Sequence, residues 1–352
     1  MKISIFIPTK NRHNYIKRTV KYYFDQKFLG QIIILDGSSN KFFKKNSEFF
    51  DECKSLNITH LKTNQLPLLA IKENLNYIEN DFCSFMGDDD YLIPNGINKS
   101  INFLIKNHKF HSAHGLGIII SKPLENIGHY PGPQLLDQNA YDRYKFHFSN
   151  YATPFFSVTR KEIFIKIFNS TDINNDLKFC KDRLILDEYL FSAFYAVYGN
   201  IKRINCLHVV REHHKKRYEE KINWEKNFSN EDTITSIKYF SKIILEKINL
   251  KNTNKFNYSI YDVEKIITKS VNGYYKNTFL RSRGIKNKRN LIFYFKYFIK
   301  YLFQKLNMLE YVIKFINLMK NNKLSLENLL NKNNEYFDDF IGVYNSFNEN
   351  DS

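Results

Sequence analysis

Short apolar runs alternate with longer amphipathic segments over the first 110 residues of the chain. The apolar runs have the length of strands, and in the segments between them the apolar side chains recur at helical spacing. We interpret as strands Ile3–Ile7, 31–35, 58–62 and 82–86, and as helices 14–26, one segment within 41–55, and 68–78. Because strands and helices alternate, we predict an α/β fold with a mostly parallel, Rossmann-like sheet flanked by helices.

The pattern changes after residue 110. The elements predicted there are a strand over 151–158, a strongly apolar helix over 184–198, two short strands over 201–204 and 207–211, and basic helices from about 222 to a polar tail after 345. We therefore divide the chain into an α/β domain, 1–220, and a basic α-helical C-terminal region, 221–352.

Polar residues follow three of the predicted strands directly. They are Pro8–Arg12 after the first strand, Asp36–Ser39 after the second, and Gly87–Asp90 after the fourth. In open α/β sheets, ligands bind beyond the carboxyl ends of the strands. The sequence therefore predicts one binding site, built from these three sets at one edge of the sheet.

The third set contains three consecutive carboxylates, Asp88, Asp89 and Asp90. Adjacent carboxylates repel one another, and aspartate is a poor strand former. A divalent cation with oxygen ligands, which also holds a phosphorylated substrate, explains such a cluster economically. The alternative is a solvated acidic turn.

A net charge of +17 favours anionic partners, namely nucleotide phosphates, nucleic acid or an anionic membrane surface. The four cysteines are far apart, which argues against a zinc site or a disulfide framework and suits a reducing cytoplasm. We see neither a signal peptide nor an apolar run of ~18 residues, and we expect a cytoplasmic protein with no transmembrane helix.

In order along the chain, Ile5–Arg12, Asp36–Ser39 and Gly87–Pro94 resemble the motifs of the family 2 glycosyltransferases of the GT-A fold. The pair Asp187-Glu188, about a hundred residues later, resembles the acidic catalytic pair of that family. The resemblance covers roughly residues 1–215. Gly87 departs from it, because family members commonly carry an aspartate there.

This resemblance implies inverting transfer of a sugar from a nucleotide-sugar donor, usually UDP-linked, to a hydroxyl of a glycan or lipid-linked acceptor. It also implies a Mn²⁺ or Mg²⁺ ion that stabilises the leaving diphosphate, and a carboxylate that takes the acceptor proton. Surface polysaccharide or lipooligosaccharide assembly is the process that we expect.

By the same resemblance, the expected donor-binding residues are Pro8, Thr9, Asn11, Arg12, Asp36, Lys72 and Asp88, with Asp36 on the base. The expected metal-binding residues are Asp89, Asp90 and His213. His213 is preferred to His208 and His214 because it shares a strand face with Leu207, Val209 and Arg211.

By the same resemblance, the catalytic base would be Asp187 or Glu188. Neighbours on a helix diverge by about 100°, so only one of the two can point into the site. The family's spacing to Leu190 favours Asp187 and the spacing to Gly199 favours Glu188; of the two we favour Asp187. A structural role as helix N-terminal charges is the alternative for both.

Residues 281–323 contain eleven Lys or Arg and one acid, interleaved with Phe, Tyr and Leu at helical spacing. A basic, aromatic-rich amphipathic helix suits the surface of an anionic membrane, so we expect peripheral association with the inner face of the plasma membrane. Packing on the catalytic domain or a second subunit is the alternative.

Two other functions compete with the enzyme. A nucleic-acid-binding protein would fit the charge, but no helix-turn-helix, zinc-finger or RNP-like signature appears, and we expect no nucleic acid partner. A catalytically inactive scaffold for polysaccharide assembly would fit the same motifs.

Overall fold

The computed structural model describes residues 3–121, 126–130, 132–149, 151–170, 183–214, 231–251, 258–282 and 325–348. Its strands are β1 (Ser4–Thr9), β2 (Gln31–Asp36), β3 (Asn57–Lys62), β4 (Phe82–Phe85), β5 (Asp90–Leu92), β6 (Phe110–Ser121), β7 (Asn126–Tyr130), β8 (Val158–Arg160) and β9 (Asn200–His213). Its helices are α1 (His13–Asp25), α2 (Asn40–Glu52), α3 (Pro67–Glu73), α4 (Pro94–Lys106), α5 (Ala140–Ser149), α6 (Lys161–Phe168), α7 (Arg183–Tyr198), α8 (Glu231–Lys251), α9 (Ile260–Ser282), α10 (Leu326–Leu329) and α11 (Phe337–Asn348).

The strands of the described residues form one sheet in the order β3-β2-β1-β4-β8-β6-β9-β5, and β7 pairs with β6. The first four run parallel, in a register that pairs Thr9 with Asp36 and Asp36 with Lys62. Almost every residue of β1 and β2 is buried, as expected for strands covered by helices on both faces. The α/β prediction is confirmed, and the parallel register places the carboxyl ends of these strands at one edge.

Beyond β4 the sheet is mixed. Strand β8 lies antiparallel between β4 and β6, β9 is parallel to β6, and β5 is antiparallel to β9. The strand predicted over 151–158 is wrong except at its last residue. Ser157 N–H instead closes a turn onto the Pro154 carbonyl at 2.9 Å.

The two short strands predicted over 201–204 and 207–211 are one strand, β9. Its register against β6 shifts between His114 and Leu116, where β9 carries extra residues. A Cβ at Gly115 would lie 2.2 Å from the Cys206 carbonyl oxygen, so this approach requires glycine. The interruption in the sequence pattern is therefore a bulge within a strand, not its end.

Two apolar clusters cover the two faces of the sheet. One contains buried side chains of α3, α5, α6 and α7 together with Phe240, Ile244 and Val263 of α8 and α9. Helices α8 and α9, from the region that we predicted to be separate, therefore share a core with the α/β part.

The other cluster includes α1, α4 and the C-terminal α11, whose Phe340, Val343 and Phe347 are fully buried. Helix α11 packs on α1, and Ser346 Oγ donates to Tyr91 Oη at 3.1 Å. The polar tail predicted after residue 345 is therefore wrong for residues 346–348. They continue α11, and Phe347 belongs to the apolar face that it forms with Phe340 and Val343.

No helix among the described residues is both long and apolar enough to cross a membrane. Residues 283–324, which contain nearly all of the basic segment 281–323 predicted to bind a membrane, lie outside the described residues.

Candidate functional site

A cavity of about 1060 Å³ opens at the carboxyl edge of the parallel strands. The segments after β1, β2, β3 and β4 all contribute to it. Its lining residues are Pro8–Tyr15, Leu35, Gly37, Phe42, Thr63–Pro67, Ala70 and Gly87–Asp89. The structure therefore brings together the three polar sets that the sequence places at strand ends.

Asn11 joins the first two of these sets. Its backbone has a φ of 55°, a left-handed conformation that asparagine tolerates better than most residues. In this conformation its N–H donates to Ser38 Oγ at 2.7 Å, and its Oδ1 accepts from Ser39 N–H at 2.9 Å. Asn11 thus fixes the two loops that form the cavity floor.

Asp88 is the most buried lining carboxylate, at 2% exposure. Its Oδ2 accepts from Thr9 Oγ1 at 2.7 Å, and its Oδ1 lies 3.2 Å from Arg12 Nη1. Burial raises the pKa of Asp88, the charge of Arg12 opposes the rise, and the charge of Asp89 adds to it.

Asp89 interacts with two basic side chains through one oxygen. Its Oδ2 lies 2.6 Å from Arg12 Nη2 and 2.8 Å from His214 Nε2. Burial acts to raise the pKa of Asp89, but the hydrogen bond with His214 and the charge of Arg12 hold it well below its usual range.

The histidine at the acidic cluster is His214 and not His213, which is exposed. Tyr15 supports it, with the two rings stacked at 4.8 Å between centroids. The preference for His213 rested on strand alternation, but β9 ends at His213, so alternation does not extend to His214. We therefore replace His213 by His214 as the candidate ligand.

Asp90 lies in β5 opposite Arg211 of β9 and is not among the residues that line the cavity. Arg211 Nε lies 3.3 Å from its Oδ1, and the guanidinium also covers the Tyr130 and Phe156 rings. Asp90 thus holds Arg211 in place, in addition to any role toward a metal ion.

Gly87 directly precedes the three aspartates and lies close to the side chains of Asp89 and Asp90. A Cβ at this position would lie 2.8 Å from Asp89 Oδ1 and 3.2 Å from Asp90 Oδ2. The absence of the family's usual aspartate at 87 is therefore consistent with the tight arrangement of the two acids that follow.

Asp36 is fully buried and holds the loops together. Its Oδ1 accepts from Ser38 N–H at 2.8 Å, and its Oδ2 lies 2.7 Å from Asn46 Nδ2 and 3.0 Å from His60 Nε2. Burial alone would raise its pKa, but the hydrogen bonds from His60, Ser38 and Asn46 hold the pKa at about 2. Its neighbours Leu35 and Gly37 line the cavity, whereas Asp36 itself lies beneath it.

Lys72 lies on α3, half-buried, and is not a lining residue. Lys72 therefore does not form part of the cavity wall, and its contact with the donor stays a prediction.

The two candidate bases lie near the start of α7 in different environments. Asp187 is 1% exposed. Glu188 is half-buried, and its Oε1 accepts from Tyr151 Oη at 2.7 Å. Burial raises the pKa of Tyr130 to about 12. The charge of Arg211 opposes this rise, and the charges of Glu188 and Asp90 add to it.

Sequence reasoning missed several site residues, namely Tyr15, Phe42, His60 and Thr63–Pro67, and it considered His214 but preferred His213. A usable signal existed for 63–67, because they directly follow β3 and the rule for strand ends applies to that strand too. His60 carries no such signal, since it lies in the interior of β3 and not at its end.

Among the described residues, no three His, Cys, Asp or Glu side chains are grouped so as to hold a metal ion. Asp89 Oδ2 and His214 Nε2 nevertheless lie 2.8 Å apart in a mutual hydrogen bond, close enough for both to contact one ion if that bond were broken. Mg²⁺ commonly binds through one or two protein carboxylates plus substrate phosphates. The donor set therefore fits an ion that a bound diphosphate helps to hold.

Residues 4–168 match the family model described as glycosyl transferase family 2. An uncharacterized glycosyltransferase of Haemophilus influenzae is 28% identical over 108 residues, which are 30% of this chain and 43% of that relative. The matched part thus spans less than half the length of that relative.

Two solved structures are similar at 15% identity and 82% coverage of this chain. The crystal structure of S. aureus TarS has a TM-score of 0.47 with 46% of that chain covered, and TarS 1-349 in complex with UDP has 0.49 with 77% covered. The family match covers less than half of the chain, and together with the strand-end motifs it confirms the predicted GT-A-type α/β fold; residues 4–168 are similar to the family 2 glycosyl transferases.

Proposed function

We propose that this protein is a metal-dependent inverting glycosyltransferase with a UDP-sugar donor and a glycan or lipid-linked acceptor in surface polysaccharide or lipooligosaccharide assembly. The observation that carries the proposal is the cavity at the ends of β1, β2, β3 and β4, with Asp88 and Asp89 in its lining. Cavities of this size suit a ligand as large as a nucleotide sugar. The UDP carrier is inferred from the family resemblance.

Asp89 and His214 are the residues that would hold a Mn²⁺ or Mg²⁺ ion. Such an ion, when bound, neutralises the negative charge that the leaving diphosphate gains. Arg12, on the same cavity wall, supplies guanidinium donors suited to phosphate oxygens. These groups bind and orient the donor.

Glu188 is our candidate for the base that takes the acceptor proton. Two observations support it over Asp187: it is only half-buried, and Tyr151 Oη donates a hydrogen bond to it. A base must reach the acceptor hydroxyl, and the nearly complete burial of Asp187 opposes that.

A lipid-linked acceptor would bring the enzyme to the inner membrane surface, and the basic stretch over 285–320 supports that location by its sequence pattern alone. Flotation of the protein with anionic vesicles at low salt tests this. Protein that stays in the soluble fraction contradicts membrane association and leaves the chemistry untouched.

The donor experiment is a panel of nucleotide sugars screened by thermal shift with and without Mn²⁺. We expect one UDP-sugar to raise the melting temperature in the presence of Mn²⁺ and EDTA to abolish the shift, since a ligand at 100 times its Kd stabilises by about 2.7 kcal/mol. Asp89→Asn should lose this shift, and Asp51→Asn, the same change at an exposed position on α2, should keep it. A panel without any shift contradicts the proposed function.

A further inference from the structure

We infer that Arg12 is the built-in counter-cation of the acidic cluster: in the free protein it occupies the place of the divalent ion, and the donor diphosphate must draw it away before the ion binds. The inference rests on the proposed function and deepens it. It makes Arg12 a positioning residue that orders binding, so that the metal ion binds well only together with a nucleoside diphosphate.

The position of one nitrogen atom is the first argument. Arg12 Nη2 lies 2.6 Å from Asp89 Oδ2 and 3.2 Å from His214 Nε2, and those two atoms are 2.8 Å apart. A metal ion shared by this carboxylate and this imidazole would sit against the same two atoms at about 2.0–2.2 Å. The guanidinium and the ion therefore exclude each other.

The charge of the cluster is the second argument. The side chains of Asp88 and Asp89 are 3% and 13% exposed, and Arg12 contacts both, with Nη1 on Asp88 and Nη2 on Asp89. Two nearly buried neighbouring carboxylates need a counter-charge. Arginine supplies a permanent one, whereas a dissociable metal ion does not.

The remaining donor of Arg12 is the third argument. Its Nε–H is buried, and no hydrogen-bond acceptor among the described residues reaches it. A buried donor without a partner is costly, so the resting position of Arg12 is not its best-satisfied one. A diphosphate in the cavity offers several anionic oxygens to the planar guanidinium, which compensates for leaving the carboxylates.

The side chain can make this move without a change of fold. Arg12 precedes α1 and lines the cavity, and its guanidinium lies 4.3 Å from the centroid of the Tyr15 ring. A rotation over that ring keeps the cation–π contact while it exposes Asp89 Oδ2. His214, stacked on the same ring, remains in place for the ion.

The test measures Mn²⁺ affinity by calorimetry and by the Mn²⁺ EPR signal, with and without UDP. For the unaltered protein we expect weak binding of Mn²⁺ alone and at least tenfold tighter binding with UDP. Arg12→Gln should bind Mn²⁺ alone at least tenfold more tightly than the unaltered protein and should gain less from UDP, because the competing cation is gone.

Lys41→Gln is the matched control, since Lys41 is exposed on α2 and does not line the cavity. It removes one positive charge in the same way, and we expect its Mn²⁺ affinity without UDP to stay within twofold. Arg12→Lys keeps the positive charge but lacks the planar guanidinium with its several donors. Its Mn²⁺ affinity without UDP should lie between those of Arg12→Gln and the unaltered protein. It decides the question if Arg12→Gln does not fold.

The outcomes separate the inference from the proposed function. Equal Mn²⁺ affinity in the unaltered protein and Arg12→Gln, or an equal gain in Lys41→Gln, overturns the role of Arg12 and leaves the metal-dependent enzyme standing. Absence of Mn²⁺ binding even with UDP overturns the metal-dependent function, and the inference falls with it. Asp89→Asn, which should lose Mn²⁺ under all conditions, identifies the site that is measured.

Discussion

Gly87 determines how closely the side chains of Asp89 and Asp90 can approach the backbone of their loop. The distances of 2.8 and 3.2 Å from a hypothetical Cβ leave no room for a methyl group unless a carboxylate moves. Because Arg12 and Arg211 hold those carboxylates, the movement would disturb the cavity as well as the loop.

We therefore expect Gly87→Ala to weaken binding of UDP with Mn²⁺ about tenfold, or about 1.4 kcal/mol. Calorimetry measures this directly. Gly128→Ala is the matched control, since a Cβ at Gly128 would meet its nearest atoms at an ordinary 3.9 Å. Unchanged affinity in Gly87→Ala would show that the carboxylates adjust freely.

The base is the second question at this scale. Glu188→Gln should lower kcat by about 10²–10⁴-fold with UDP affinity unchanged, because it removes a proton acceptor and leaves the donor pocket intact. Asp187→Asn should mainly affect stability. Turnover retained in Glu188→Gln and lost in a folded Asp187→Asn would reverse the assignment.

At the scale of elements, β1 to β4 and α1 to α3 follow from sequence because each of these strands is a short apolar run between polar ends, whereas β5 and α4 were not predicted. The position of His214 does not, since it depends on where β9 ends and not on the alternation within it. Helix α11 falls within the region predicted to be helical, but its last turn was assigned to the tail because Phe347 stands among Asn and Ser residues. The sheet edge at which the cavity opens was predictable from the sequence. The hydrogen bonds of Asp89 with Arg12 and His214 were not.

Helix α11 should contribute strongly to stability. Phe347 is fully buried, with its ring centroid 5.4 Å from that of Tyr91 and 4.9 Å from the guanidinium carbon of Arg18. Phe347→Ala should destabilise the protein by about 3–5 kcal/mol, the usual loss for a buried aromatic side chain.

Chemical denaturation provides the measurement. Leu29→Ala is the control, because Leu29 is 78% exposed and its truncation should cost less than about 0.5 kcal/mol. Similar midpoints for the two variants would mean that α11 is not docked on α1 in solution.

At the scale of the whole molecule, several buried histidines make stability depend on pH. Burial lowers the pKa of His147 to about 3 and that of His208 to about 4, against 6.5 for an exposed histidine. Between these values the unfolded chain binds protons that the folded chain excludes, so the stability that these histidines contribute is fully present above pH 6.5 and is lost as the pH drops toward 4.

Each such histidine contributes a slope of up to about 1.4 kcal/mol per pH unit in that window. Melting temperatures of the unaltered protein should therefore fall steadily from pH 7 to pH 4. His208→Gln, which can still donate to the Phe156 carbonyl that His208 contacts at 2.8 Å, should lower the overall stability but flatten this slope. An unchanged slope would exclude His208 as a source of the dependence.

The contact between Ser346 and Tyr91 joins positions 255 residues apart in the chain. Closing so long a loop costs entropy, and contacts between distant positions form slowly during folding. Tyr91 immediately follows Asp90 of the acidic cluster, so the strand that carries that aspartate gains its last neighbours only when the two distant parts of the polypeptide meet. On refolding from denaturant, recovery of nucleotide binding should therefore lag behind the appearance of secondary structure.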